Sequence, residues 1–291
     1  MNGYDKKTNP YLEQENVISF DNMWACGTST AYSVPCMFSI YGRSDFSKSK
    51  AQSTENILDI LQRVGVNVIW LDNNSDSKGV ADRIPYQSFK SSKNNPVCDI
   101  ECRDEGMLTN LQTYIDSHLT GDIFIVLHQM GNHGPSYYKR YPKQFETFNP
   151  VCNSNQLEQC TQEEISNTYD NAIVYTDYFL SKAIQLLKGN ASKFESALVY
   201  VSDHGESLGE NNLYLHGLPY MIAPDTQIHV PIIMWFSDSF DKEDVNIEQL
   251  KKQKHQKLSH DNLFHTILGL MEIKSSVYDK KMDIVGREYN D

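Results

Sequence analysis

SALVYVSDHGESLGENNLYLHG, residues 196–217, is the stretch on which the fold turns. Its first half is a nearly continuous apolar run that stops abruptly at Ser202, Asp203, His204 and Gly205. A parallel strand covered on both faces has this character, because neither face needs polar residues. Three other runs share it: VNVIWLD (66–72), DIFIVLHQ (122–129) and VPIIMWF (230–236). Segments of helical period lie between them, at 54–65, 106–119, 163–188 and 261–271. For the longest, Thr161 with Glu164 three residues on predicts a capping box, and Gly189 predicts the stop. Alternating strands and helices predict an α/β fold with a mainly parallel central sheet and helices on both faces.

In such sheets ligands bind beyond the carboxyl ends of the strands. Three strand ends here deliver polar and metal-capable groups. Asp203, His204 and Glu206 follow one. His128, Asn132 and His133 follow a second. Asp72, Asn74, Ser75 and Lys78 follow the third. Adjacent Asp203 and His204 can face one cation, and a carboxylate oxygen with an imidazole nitrogen suits zinc. His216 returns at the far end of the same loop. Taken alone, a lone Asp-His pair is a helix cap beside a surface histidine, His133 is a turn residue and Lys78 is a solvated lysine. The clustering at one rim favours a site. The other histidines, His118, His128, His229, His255, His260 and His265, are given no catalytic role.

CGTSTAYSVPC, residues 26–36, brackets Thr28, Ser29, Thr30 and Ser33 between two cysteines. One of these hydroxyls becomes a nucleophile if it reaches a cation held by Asp203 and His204, since a divalent ion lowers the pKa of an oxygen it touches by many units.

The chain has 291 residues and a net charge of −12, which argues against nucleic-acid binding. An anionic substrate would need a local cation to draw it in. No apolar run approaches the ~18–20 residues that span a bilayer, and MNGYDKKTNP does not read as a signal peptide. The expectation is a soluble piece. The six cysteines fall as Cys26/Cys36, Cys98/Cys102 and Cys152/Cys160. Sequential disulfides are the simplest pairing and point to an oxidising compartment, while zinc–thiolate binding stays open as the rival. The later two pairs lie in the long stretches 72–105 and 130–162, which are expected to be irregular loops. The charged segment 238–258 is expected to be a solvated excursion.

CGTSTAYSVPCMFS, NNSDSKG, HQMGNHGP, YDNA (169–172), SDHGESLGE and YLHG, in this order, resemble the catalytic domain of lipid A phosphoethanolamine transferases, including the mobile colistin-resistance enzymes. The likeness runs over nearly the whole chain. It implies an alkaline phosphatase and sulfatase-like α/β/α sandwich at the periplasmic face of the inner membrane. It implies transfer of phosphoethanolamine from phosphatidylethanolamine to a lipid A phosphate, the modification behind polymyxin and colistin resistance. By the same resemblance Thr30 is the nucleophile, and Thr30, Asp203 and His204 are zinc ligands. His133 and His216 lie on the substrate phosphate, as acid and base or around a second zinc. Asn74, Ser75 and Lys78 are substrate contacts, and the three sequential cysteine pairs are disulfides.

Two departures belong to the same reading. The family's membrane domain is not in residues 1–291, so the expectation is a single soluble catalytic domain whose membrane contact comes through the missing part. The family's first catalytic strand ends in a glutamate ligand ahead of the NGY motif, which stands here at Asn2–Tyr4. Asp5, Glu13 and Glu15 follow that motif and cannot be mapped onto the glutamate. The zinc site is thereby expected to be one protein ligand short. The rival functions are a phosphodiester hydrolase of the same fold and a catalytically silent zinc- or lipid-binding domain.

Overall fold

Alternate residues of the central strands enter opposite helical layers in the computed structural model, which describes residues 4–240 and 245–286. Asn2 and Gly3 of the NGY motif lie outside the described residues. The strands are β1 (Ile18–Trp24), β2 (Asn67–Asp72), β3 (Tyr86–Ser88), β4 (Ile123–His128), β5 (Ala197–Val201), β6 (Ser207–Leu208), β7 (Tyr214–Leu215), β8 (His229–Phe236) and β9 (Leu258–Ser259). The α-helices are α1 (Thr30–Met37), α2 (Lys48–Ser53), α3 (Ile57–Arg63), α4 (Leu111–Asp116), α5 (Gln162–Gly189), α6 (Asp225–Ile228), α7 (Ile247–Lys252) and α8 (Asp261–Leu270).

Hydrogen-bonded neighbours run β5-β8-β1-β9 in one ladder and β3-β2-β4 in another. Leu71 of β2, Ile125 and Leu127 of β4, Leu198 of β5 and Trp235 of β8 all pack with Phe179, Leu180 and Ile184 of α5. One face of α5 therefore spans both ladders. On the other side Val68 and Trp70 of β2 pack on Leu58 and Leu61 of α3 and Phe264 and Leu268 of α8. Beside them Ile232 and Met234 of β8 pack on Phe20 of β1 and Leu263 of α8. The period of two in the strands thus feeds two cores, as the continuous apolar runs predicted. The capping box on α5 is present, with Thr161 accepting from Glu164 N–H and the Glu164 side chain accepting from Thr161 N–H. The helix includes Gly189 and caps at Asn190.

The sheet is mainly parallel, as expected, but three expectations need correction. β2 pairs in parallel with β3 and β4, and β1 with β9, whereas the run at 230–236, read as another parallel strand, forms β8 antiparallel to both β1 and β5. The reason is connection geometry. The chain leaves β5 at Val201, stays on that rim through the DHG loop and α6, and enters β8 there, with Ser202 N–H donating to Pro231 O. A parallel partner would need a crossover to the opposite rim. β8 thus sits reversed between β1 and β5, which share a direction. The second correction concerns 238–258, of which residues 241–244 lie outside the described ones. Val245 and Leu250 are buried in the core, α7 forms there, and β9 closes the edge of β1.

The third correction concerns the cysteines of the two long stretches. All three sequential pairs, Cys26–Cys36, Cys98–Cys102 and Cys152–Cys160, are disulfides, and there is no free cysteine, so the zinc–thiolate alternative is overturned. The segment around Cys160 is not an irregular loop. Its N–H donates to Leu157 O and closes a 3₁₀ turn over Leu157–Gln159, directly ahead of the α5 cap at Thr161. Half-buried Cys160 packs against buried Cys152, Leu157, Ile165 and Tyr137. The staple therefore adds to a small apolar cluster at the start of α5 rather than standing in for one. Cys98 and Cys102 pair across an isolated β-bridge.

β1 has no counterpart among the expected strands. Asp21 and Asn22 interrupt its apolar pattern, and the register with β8 shifts between Phe20 and Met23. Among the described residues no helix is long and apolar enough to cross a membrane.

Candidate active site

β1 and β5 end on the same rim, and their trailing segments meet. Thr30 is the first residue of α1, just beyond β1, and its Oγ1 lies 3.3 Å from Nε2 of His204, beyond β5. Nε2 of His204 lies 3.6 Å from Oδ2 of Asp203. Nδ1 of His204 donates to Gly205 O at 2.9 Å, and a carbonyl can only accept, so in the neutral ring Nε2 keeps its lone pair facing the threonine. Burial pushes the Asp203 carboxyl up, but the neighbouring His204 and a hydrogen bond from Thr30 more than offset it, leaving it below the ordinary carboxylate range.

Three histidines, each followed by glycine, extend the cluster. The ring of His204 lies 4.1 Å from that of His216, and His216 lies 5.4 Å from His133, centroid to centroid. Nδ1 of His133 donates to Gly134 O at 2.7 Å, and Nδ1 of His216 donates to Oε1 of Glu206 at 3.0 Å. Glu206 raises the pKa of His216 against the effect of burial, whereas burial lowers that of His133, helped by nearby Arg140. Glycine is required by close approach at one of these turns, where a Cβ on Gly205 would lie 2.1 Å from the backbone oxygen of Thr226.

Second partners hold this array. His260, fully buried, accepts the Cys26 N–H on Nδ1 and donates from Nε2 to Ser202 O, both at 3.0 Å, so it ties the end of β1 to the end of β5. Burial drives its pKa down to about 4. Gly27 N–H donates to Ser33 Oγ and Thr28 Oγ1 to Leu218 O. Asp104 is buried and accepts from Met130 N–H, Gly131 N–H and the Asn73 amide, joining the loops after β4 and β2. Arg140 donates from Nε to His133 O at 2.6 Å and pairs with Glu101. At the ends of β2 and β4, Asp72 accepts from His128 Nδ1 at 2.8 Å and Trp70 Nε1 at 3.0 Å. His128 also bears electrostatically on Asp203.

The residues expected as substrate contacts lie on the loop after β2. Asn74 is buried and donates to Gln129 O at 2.7 Å, which couples this loop to the one carrying His133. Ser75 is exposed. Lys78 Nζ folds back onto Ser75 O at 2.7 Å and lies 3.3 Å from Asp76. Asp104, Arg140 and His260 were not singled out from sequence, because their roles depend on partners far away in the chain. His128, the last residue of β4, and Glu206, in the loop after β5, were read among the strand-end groups but given no role of their own.

The donor set fits zinc. Four ligands at ~2.0–2.1 Å in tetrahedral array stand roughly 3.3 Å apart, close to the separations around His204 Nε2. Cys26, Cys36 and Asp261 also approach one another, but the two sulfurs are bonded to each other and Asp261 accepts the Arg43 N–H, so they do not form a thiolate site. Cys98 with Cys102 and Cys152 with Cys160 are equally spent as ligands, each sulfur being bonded to its partner.

The sulfatase family model matches residues 1–273. The soluble domain of lipooligosaccharide phosphoethanolamine transferase A from Neisseria meningitidis superposes with a TM-score of 0.93 at 42% identity, covering 99% of this chain and 88% of that one. The chain belongs to the sulfatase family, in its phosphoethanolamine transferase branch. Phosphoethanolamine transferase EptA of Escherichia coli K12 is 49% identical over 288 residues, 98% of this chain and 52% of its own. Phosphatidylethanolamine transferase Mcr-1 of Escherichia coli is 43% identical over 281 residues, 94% of this chain and 51% of its own. The chain thus spans about half the length of the curated relatives it matches. The fold is that of the sulfatases, a central sheet between helical layers.

Proposed function

We propose that this chain is the catalytic part of a zinc-dependent transferase that moves phosphoethanolamine from phosphatidylethanolamine to a lipid A phosphate at the periplasmic face of the inner membrane. Its product would confer polymyxin and colistin resistance. The observation that carries the proposal is the convergence of Thr30 Oγ1 on the Asp203–His204 pair. The likeness to phosphoethanolamine transferases supplies the substrate class. Thr30, Asp203 and His204 would hold the zinc, which supplies Lewis-acid stabilisation of negative charge and favours the ionised threonine.

The chain's own groups account for the rest. Thr30 enters ionised, its proton having passed to solvent, and Oγ1 attacks the donor phosphorus while the bond from phosphorus to the diacylglycerol oxygen breaks. Tyr32 N–H and Ser33 N–H donate to Ser29 O, which leaves the N–H groups of Thr30 and Ala31 at the start of α1 to face the phosphoryl oxygens. His216, oriented by Glu206, passes a proton to the departing diacylglycerol oxygen, and His133 flanks the same phosphate. A lipid A phosphate oxygen then attacks phosphothreonine and frees Thr30. Asn74, Ser75 and Lys78 contact substrate from the loop after β2, with Lys78 swinging off its own loop to do so.

Intact mass spectrometry tests this directly. Zinc-loaded chain incubated with phosphatidylethanolamine is expected to gain one phosphoethanolamine on Thr30, and Thr30→Ala none. Zinc-replete chain that forms no adduct would overturn the reading. Free phosphoethanolamine released as fast without acceptor as with it would instead mark a hydrolase.

A further inference from the structure

Two of the most exposed apolar side chains among the described residues stand together, next to the site. Met221 is 95% exposed and Ile222 70%. They form the tip of the loop LPYMIAP, residues 218–224, which begins two residues after His216. The base of this loop is pinned to the nucleophile segment by the 2.7 Å hydrogen bond from Thr28 Oγ1 to Leu218 O, and to buried Gln227 through Leu218 N–H. Pro219 and Pro224 bracket the tip, and Ile222 N–H and Ala223 N–H donate back to Pro219 O and Tyr220 O. The apolar pair is thus held out in advance and loses little freedom on docking.

We infer that this tip inserts into a phospholipid bilayer and seats the site over its lipid donor. The inference rests on the proposed use of a lipid substrate. The local chemistry fits a bilayer better than a protein groove. Met221 projects with almost no neighbours, whereas protein interfaces are broad patches packed around a centre. Behind the tip, the Arg43 guanidinium lies over the Tyr220 ring at 3.7 Å. An aromatic ring and a cation behind an apolar tip match the headgroup level, where the cation meets lipid phosphate. The net charge of −12 disfavours strongly anionic membranes and points to zwitterionic phosphatidylethanolamine as the surface.

Tryptophan placed at the tip reports insertion without reference to catalysis. Ile222→Trp, read as the difference from the parent chain, is expected to shift to the blue and to lose roughly half its intensity on vesicles of phosphatidylethanolamine and phosphatidylcholine with brominated acyl chains. Leu119→Trp is the control, since exposed Leu119 precedes β4 and lies at the opposite rim. Met221→Asp with Ile222→Asp is expected to lower co-sedimentation with the same vesicles about tenfold. It should leave the rate of Thr30 adduct formation from a short-chain, water-soluble phosphatidylethanolamine unchanged. No quenching at position 222, or equal quenching at 119, overturns the inference, as does unchanged co-sedimentation of the double variant, which would assign the tip to a protein partner. Failure of the adduct in both chains, with quenching at 222 intact, would refute the transferase reading and leave the docking result standing.

Discussion

Oε1 of Glu206 accepts two hydrogen bonds, from Nδ1 of His216 at 3.0 Å and from Gly134 N–H at 3.3 Å. One carboxylate thereby fixes a histidine ring and the turn that carries another. Glu206→Gln keeps the shape but removes the charge. It is expected to slow Thr30 adduct formation roughly 10–100-fold, with zinc bound at Thr30, Asp203 and His204 retained. Single-turnover mass spectrometry beside metal analysis checks both halves.

Asp203→Asn and His204→Gln each withdraw a donor from a set centred on Thr30. Each is expected to weaken zinc at least ~10-fold while leaving the fold intact, because both side chains lie on the rim and outside the two cores. Isothermal titration with zinc gives the affinity, and far-ultraviolet circular dichroism the fold. An undiminished zinc affinity in both variants would contradict the assignment.

His260 gives a pH signature. Burial holds it near pKa about 4, below its ordinary 6.5, so it is neutral in the folded chain. The unfolded chain takes up a proton as pH falls below about 6.5, which the folded chain refuses until about 4. Stability from this residue is therefore full above the upper value and falls through that window, by about 3 kcal/mol in all. Urea midpoints at several pH values should fall more steeply for the parent chain than for His260→Gln. Parallel curves would contradict the buried, neutral imidazole.

Arg140 spans the His133 carbonyl and Glu101 with two faces of its guanidinium. Lysine cannot reproduce that fork. Arg140→Lys is expected to cost about 1–3 kcal/mol in stability and to slow adduct formation, and Glu101→Gln to do the same more mildly. Comparing thermal melts with adduct rates separates the two effects.

The four apolar strands and the long capped helix were legible because their signals are local: a run, a period, a cap. β1 was hidden because Asp21 and Asn22 sit where the register with β8 shifts. The direction of β8 was hidden because an apolar run looks alike in either orientation, and only the rim-bound path through α6 decides it. The packing of Cys160 was hidden because Tyr137, one of its neighbours, is distant in sequence. At the site, Asp203, His204 and His216 announced themselves through strand ends and glycines. His260 did not, because Cys26 and Ser202 are distant in sequence and their backbone atoms carry no residue-type signal.

β8 also acts as a ruler. It is the single strand separating β1 from β5, so it sets a distance of two strand spacings, roughly 9.5 Å, between the strand that leads to Thr30 and the strand that leads to Asp203 and His204. Ile232 and Met234 in its middle are fully enclosed and touch no reacting atom. Their side chains stand perpendicular to that spacing, so resizing either would disturb the core beneath the sheet while the backbone ladders keep the gauge.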